Sequence, residues 1–170
     1  MIDPSSVSRP VLFETERSWN PARPHTLVVA CSDGRLQEEV DQFLRSQLGI
    51  SHYDRLYVPG GAGSLSASGS DFIRAYELQS QCRALTDAHG TKHVFLLFHG
   101  PAEGGPEAAI CLDYRRKLPG RSADDIRRQQ DSDARELLVR GMGPGVTVAT
   151  YRCEVRADGL VQVVALDGAV

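Results

Sequence analysis

The stretch Thr26-Leu27-Val28-Val29-Ala30-Cys31-Ser32-Asp33-Gly34-Arg35 decides how this chain is read. Residues 26–30 form a continuous apolar, β-branched run, which suits a strand buried on both faces, as in a parallel sheet. A thiol, a carboxylate and a guanidinium then follow within five residues, at Cys31, Asp33 and Arg35. Chemically capable side chains placed directly after a buried strand are candidates for a site rather than for a core.

Working outward, Pro21 and Pro24 precede the run, so residues 1–24 are read as an N-terminal arm and 25–170 as one domain. From residue 35 to 48 Leu36, Val40, Phe43 and Leu44 recur at helical spacing, and Gly49 supplies a stop. Residues 55–58 read as a second strand, followed by Pro59-Gly60-Gly61 and a polar Gly/Ser loop through Gly69. A helix over 71–89 ends at Gly90. His93-Val94-Phe95-Leu96-Leu97-Phe98 is the clearest strand, and Pro106 is expected in the first turn of a helix carrying Ala108, Ala109, Ile110 and Leu112. Residues 122–140 read as a charged, exposed helix opened by Ser122. Strands over 147–155 and 160–166 meet at Ala157-Asp158-Gly159, a good hairpin turn. The alternation predicts an α/β fold: a mostly parallel central sheet flanked by helices, with a C-terminal β-hairpin.

Bulk properties narrow the function. The chain has 170 residues, 19 basic and 22 acidic, for a net charge of −3, and no stripe of Lys and Arg marks a nucleic-acid partner. The longest apolar runs are far too short for a membrane span. The N-terminus lacks a basic segment and an apolar signal core, so a cytoplasmic protein is expected. Cys31, Cys82, Cys111 and Cys153 form no Cys-x-x-Cys pair, which argues against a disulfide framework or a zinc knuckle. Three of the four read as small core residues.

Three expected strands end at Cys31, at residues 59–63 and at His99, so a thiol, an imidazole, Asp33 and Arg35 can converge at the carboxyl edge of the sheet. Thiolate and neutral imidazole are donors that zinc prefers. A cysteine-nucleophile reading fits poorly: a phosphatase-type loop wants arginine six residues after the cysteine, where Gln37 stands. The loop from Gly60 to Gly69 has no Gly-Lys-Ser/Thr either.

These motifs resemble the β-class carbonic anhydrases. That family has an apolar strand running into C-x-D-x-R, as residues 27–35 do, then a Gly-rich segment, a long helix and a strand ending in G-H-x-x-C-G-G. Phe98-His99-Gly100-Pro101-Ala102-Glu103-Gly104-Gly105 is similar to the last of these. The resemblance implies a zinc lyase converting CO2 and bicarbonate by zinc-bound hydroxide, with Cys31 and His99 as ligands of Zn²⁺ and Asp33 and Arg35 as the catalytic pair beside it. Zinc lowers the pKa of its bound water toward ~7. The resemblance also implies a homodimer or higher homo-oligomer with the arm in the interface.

The family's second cysteine is absent: the matching position is Ala102. A one-residue insertion puts Glu103 there, preserving the ligand charge, and Glu103 is the expected third ligand; Cys111, placed within the following helix, and Cys153, in the hairpin, are the weaker candidates. Glu103 also suits the N-terminal end of that helix without any metal. Two further readings stay open. One is hydrolysis of another small electrophile resembling CS2, and the other is a non-catalytic binding or assembly protein with a degenerate metal site.

Overall fold

The structure is a computed structural model and describes residues 10–68 and 71–166. Residues 1–9 of the arm, the end of the Gly/Ser loop at 69–70 and residues 167–170 lie outside that description. Five strands form one sheet: β1 (Thr26–Cys31), β2 (Asp54–Val58), β3 (His93–Pro101), β4 (Thr147–Val155) and β5 (Val161–Ala165), in the order β2-β1-β3-β4-β5. All pairings are parallel except the β4–β5 hairpin. This is the α/β sheet the sequence predicts.

β1 is apolar from Leu27 onward because it lies in the middle of two covered faces, and Leu27, Val28 and Val29 are fully buried. Leu27 and Val29 face α2 (Phe72–His89) and α4 (Ala123–Arg140), meeting Leu78, Cys82, Ile126 and Leu137. Val28 and Ala30 face α1 (Gln37–Ser46), meeting Val40 and Leu44. α1 therefore crosses one face between β1 and β2, and α2 crosses the other between β2 and β3. The sheet order reverses between β1 and β3, and a crevice at the carboxyl ends of strands belongs at that reversal.

The helix ends follow local chemistry. Asp71 accepts a hydrogen bond from the Arg74 N–H at the start of α2, and Gly90 closes it with φ of 63°. Ser122 and Asp125 form a reciprocal capping box on α4. Expected to be exposed, α4 is instead two-sided: Ile126, Gln130, Asp133, Ala134 and Leu137 are buried.

Three segments differ from the reading of the sequence. The Gly/Ser segment after β2 is not a solvated loop: Gly61–Leu65 makes a 3₁₀ turn that is buried throughout. Small residues let that turn enter the space between strand ends and helices. β3 runs three residues past Phe98, because Gly100 and Pro101 continue pairing with Glu154 and Val155. The helix expected from Pro106 breaks into a 3₁₀ turn at Glu107–Ala109 and a short α3 (Leu112–Lys117), with Ile110 and Cys111 extended between them.

The described part of the arm, residues 10–24, has no strand or helix. Its base is tied down: Arg23 donates to the Ala88 carbonyl at 2.8 Å, and the His52 ring bonds the Ala22 carbonyl at 2.8 Å. Val11, Leu12, Phe13 and Trp19 are all at least 74% exposed.

Candidate metal centre

Cys31 is the last residue of β1 and His99 lies near the end of β3, one on each side of the sheet's reversal point. Two features press these strand ends into register with the turn after β2. The Ser32 N–H donates to the Val58 carbonyl at 3.1 Å. Gly61, at φ 55°, lies flat against the backbone of Ala30, Cys31 and Leu97.

The break between the 3₁₀ turn and α3 brings Cys111 to the same place. The donor atoms of Cys31, His99 and Cys111 all lie within 4.8 Å of one another, and they are the one such group of three among the described residues. Zn–S bonds near 2.3 Å and Zn–N bonds near 2.0 Å put tetrahedral donors roughly 3.5–3.8 Å apart. The three side chains therefore close around an ion by adjustments of about an ångström.

His99 supplies an independent sign that a group belongs here. It is 4% exposed, and neither ring nitrogen makes a hydrogen bond. A buried polar atom without a partner costs about 1–3 kcal/mol, and an ion at the three donors satisfies one nitrogen. The backbone of His99 is held separately: Gln130, fully buried on α4, donates to its carbonyl at 2.9 Å. The two thiols share a proton unequally. The hydrogen bond from Cys111 lowers Cys31 well below the usual thiol range, against its burial. The same bond, with burial, pushes Cys111 up.

Asp33 and Arg35 are placed beside this group rather than in it. Arg35 grips the carboxylate through Nη2 to Oδ2 at 2.6 Å and Nε to Oδ1 at 2.9 Å, and its backbone N–H adds a bond to Oδ1 at 3.1 Å. These bonds hold Asp33 down at about 2. Arg35 Nη1 also reaches the Ala108 carbonyl at 3.3 Å, linking the pair to the segment that carries Cys111.

Two openings meet the site. A crevice of about 50 Å³ is lined by Ala30, Cys31, Leu97, His99 and Cys153. A wider cleft of about 240 Å³ is lined by Asp33, Arg35, His99, Pro106 and Val161.

Glu103, the expected third ligand, is elsewhere. Because β3 continues to Pro101, the chain turns only beyond the sheet, with Ala102 N–H donating to the Val155 carbonyl at 2.8 Å and Gly105 N–H to the Ala102 carbonyl at 2.9 Å. That turn leaves Glu103 exposed in a separate polar cleft with Arg127, Glu154 and Arg156. Cys153 pairs with His99 in the sheet register and lines the crevice, but it is not among the three donors. The sequence reading ranked Cys111 behind Glu103 because it placed the residue inside a helix, whereas the structure sets it just before α3 with its sulfur beside Cys31 and His99. The signal was present in its type: a second soft donor beyond a proline, in a chain that had lost the expected one.

The sequence profile of the family described as "Putative carbonic anhydrase" matches residues 22–110, which include Cys31, Asp33, Arg35 and His99 and stop one residue short of Cys111. No curated protein sequence matches the chain. Solved structures similar to it include a carbonic anhydrase from Glaciozyma antarctica, at 14% identity and TM-score 0.47, covering 86% of this chain and 83% of that one. A carbonic anhydrase from Streptococcus mutans aligns at 18% identity and TM-score 0.45, covering 84% and 82%. The β-carbonic anhydrase CafA of Aspergillus fumigatus aligns at 16% and 0.46, covering 84% and 76%. Since the profile spans just over half of its 170 residues, and carries both sequence motifs, this chain belongs to the putative carbonic anhydrase family.

Proposed function

We propose that the chain is a zinc lyase that hydrates CO2 reversibly to bicarbonate, with Cys31, His99 and Cys111 holding the ion and Asp33 and Arg35 acting beside it. The observation that carries this reading is the convergence of three donors on a buried histidine whose ring nitrogens have no other partner. Two thiolates and a neutral imidazole balance Zn²⁺ and leave a fourth position, as catalytic zinc sites do. When bound, zinc supplies a water acidic enough to give a nucleophile near neutral pH. Asp33, fixed by bonds from the Arg35 side chain and backbone, keeps lone pairs free to accept a hydrogen bond from a water O–H and orient that water. The small, mostly apolar crevice suits a substrate of very few atoms.

The test is elemental analysis of chain purified without added metal, together with a CO2-hydration assay. About one zinc per chain with hydration activity is the expected result. No zinc and no activity sinks the lyase reading and leaves a non-catalytic homologue. Glu103→Gln is expected to change zinc content and affinity by less than about twofold, since an exposed carboxylate outside the donor set contributes little. A large loss of zinc in that variant would restore Glu103 as a ligand.

We also propose that the chain is a homodimer or larger homo-oligomer, with the arm on a second copy. The support is the exposed apolar series Val11, Leu12, Phe13 and Trp19, with Phe72, Ile73 and Tyr76 on α2, which a lone chain would leave in water. Light scattering at micromolar concentration should give at least twice the chain mass. Removing residues 1–20 should reduce it, and a monomeric full-length chain would refute the proposal.

A further inference from the structure

Cys111 reaches the metal centre on an irregular segment, with extended backbone at Ile110 and Cys111 and only six helical residues after it. A thiol so placed needs an anchor that sets its distance from Cys31. Two residues on, the Asp113 carboxylate is buried at 8% exposure. Its Oδ1 accepts from Arg74 Nη1 on α2 at 2.7 Å, and Arg74 Nη2 donates to the Pro59 carbonyl. Ser64 Oγ donates to that carbonyl at 2.6 Å and stands 3.4 Å from Asp113 Oδ2.

Gly60 completes the path. A Cβ there would lie 2.4 Å from Asp113 Oδ2 and 2.3 Å from Ser64 Oγ, so the carboxylate occupies the space a side chain would take. The next residue, Gly61, lies directly against the Cys31 backbone, where a Cβ would stand 2.6 Å from the Cys31 nitrogen. One chain of contacts therefore runs from the Cys31 backbone through Gly61, Gly60 and Pro59, and through Arg74 and Asp113, to the backbone beside Cys111. An ion pair serving only to join α2 to α3 has no need to end on the supports of both thiols.

We propose that Asp113, clamped by Arg74, is a positioning residue that holds Cys111 at ligating distance from Cys31. The inference rests on the three-donor site proposed above. Groups that orient metal ligands from behind typically change metal affinity by 10–100-fold when removed.

The test is titration of the full-length, zinc-free chain with Co²⁺, whose near-ultraviolet thiolate-to-cobalt absorption reports the number of bound sulfurs. The parent chain should show a two-thiolate band and Cys111→Ser a one-thiolate band. Asp113→Ala, with an unchanged far-ultraviolet circular dichroism spectrum, is expected to give about half the parent intensity per bound cobalt and roughly 10–100-fold weaker binding. If Asp113→Ala does not fold, Arg74→Gln makes the same test at a side chain 31% exposed, and Arg74→Lys should recover the band. A full two-thiolate band in Asp113→Ala or Arg74→Gln, with only a lower melting temperature, overturns the positioning role. A parent chain with no thiolate band at all overturns the three-donor site, and the positioning role with it.

Discussion

Cys111→Ser is expected to yield a folded chain that binds zinc more than about a hundredfold more weakly than the parent and hydrates no CO2. The loss exceeds the 10–100-fold range of an outer contact because a donor atom itself is removed. Serine oxygen is nearly the same size but is neutral near pH 7, so one of the two thiolate charges balancing Zn²⁺ disappears. The residue is 2% exposed, and burying a hydroxyl in place of a thiol costs about 1–3 kcal/mol. Circular dichroism and thermal melting must accordingly accompany the zinc measurement, made by competition with a chromophoric chelator. A variant that keeps parental zinc affinity would remove Cys111 from the ligand set.

Gly61→Ala carries the largest expected effect on stability. The glycine sits at φ 55°, a region that costs an L-residue roughly 1–2 kcal/mol. A Cβ there would stand 2.6 Å from the Cys31 nitrogen and 2.9 Å from both the Ala30 carbonyl carbon and the Leu97 carbonyl oxygen. All three contacts are backbone of central strands, which cannot swing aside as a side chain can. Overpacking of that kind adds about 1–3 kcal/mol. The sum, about 2–5 kcal/mol, corresponds to a fall of roughly 4–20 °C in Tm for a chain of this size. Because the clash falls on the strand ends that carry Cys31 and precede His99, zinc content should fall with stability. An unchanged melting curve would show that the strand ends yield, against the packing described here.

The fold was legible wherever a local pattern had one physical solution. The unbroken apolar run of residues 26–30 demands two covered faces, and Ser122 with Asp125 demands a helix start. Hairpin chemistry at Asp158-Gly159 demands an antiparallel end, and Gly159 takes φ of 83° there. The misread segments are those whose conformation is settled by distant partners. Residues 61–65 read as part of a polar Gly/Ser loop by composition, yet their small size is what admits them to the interior. Residues 106–112 have helical composition, but the helix breaks at Ile110 and Cys111, whose side chains are buried in the core.

The site divides along the same line. By itself the sequence determined that Cys31, Asp33 and Arg35 follow a buried strand, because strand and motif are contiguous, and Arg35 can grip Asp33 from two residues away. It also placed His99 at the end of another strand, so that imidazole and thiol could meet at the carboxyl edge of the sheet; that the two strands are neighbours comes from the sheet order. Only the tertiary structure shows which side chain lies beside Cys31 and His99: the Cys111 thiol does, and the Glu103 carboxylate does not. Whether Glu103 or Cys111 reaches Cys31 depends on how far β3 continues its pairing and where the next helix breaks. Those are set by contacts with Val155, Arg74 and Gly60, residues tens of positions away, to which no local spacing rule refers.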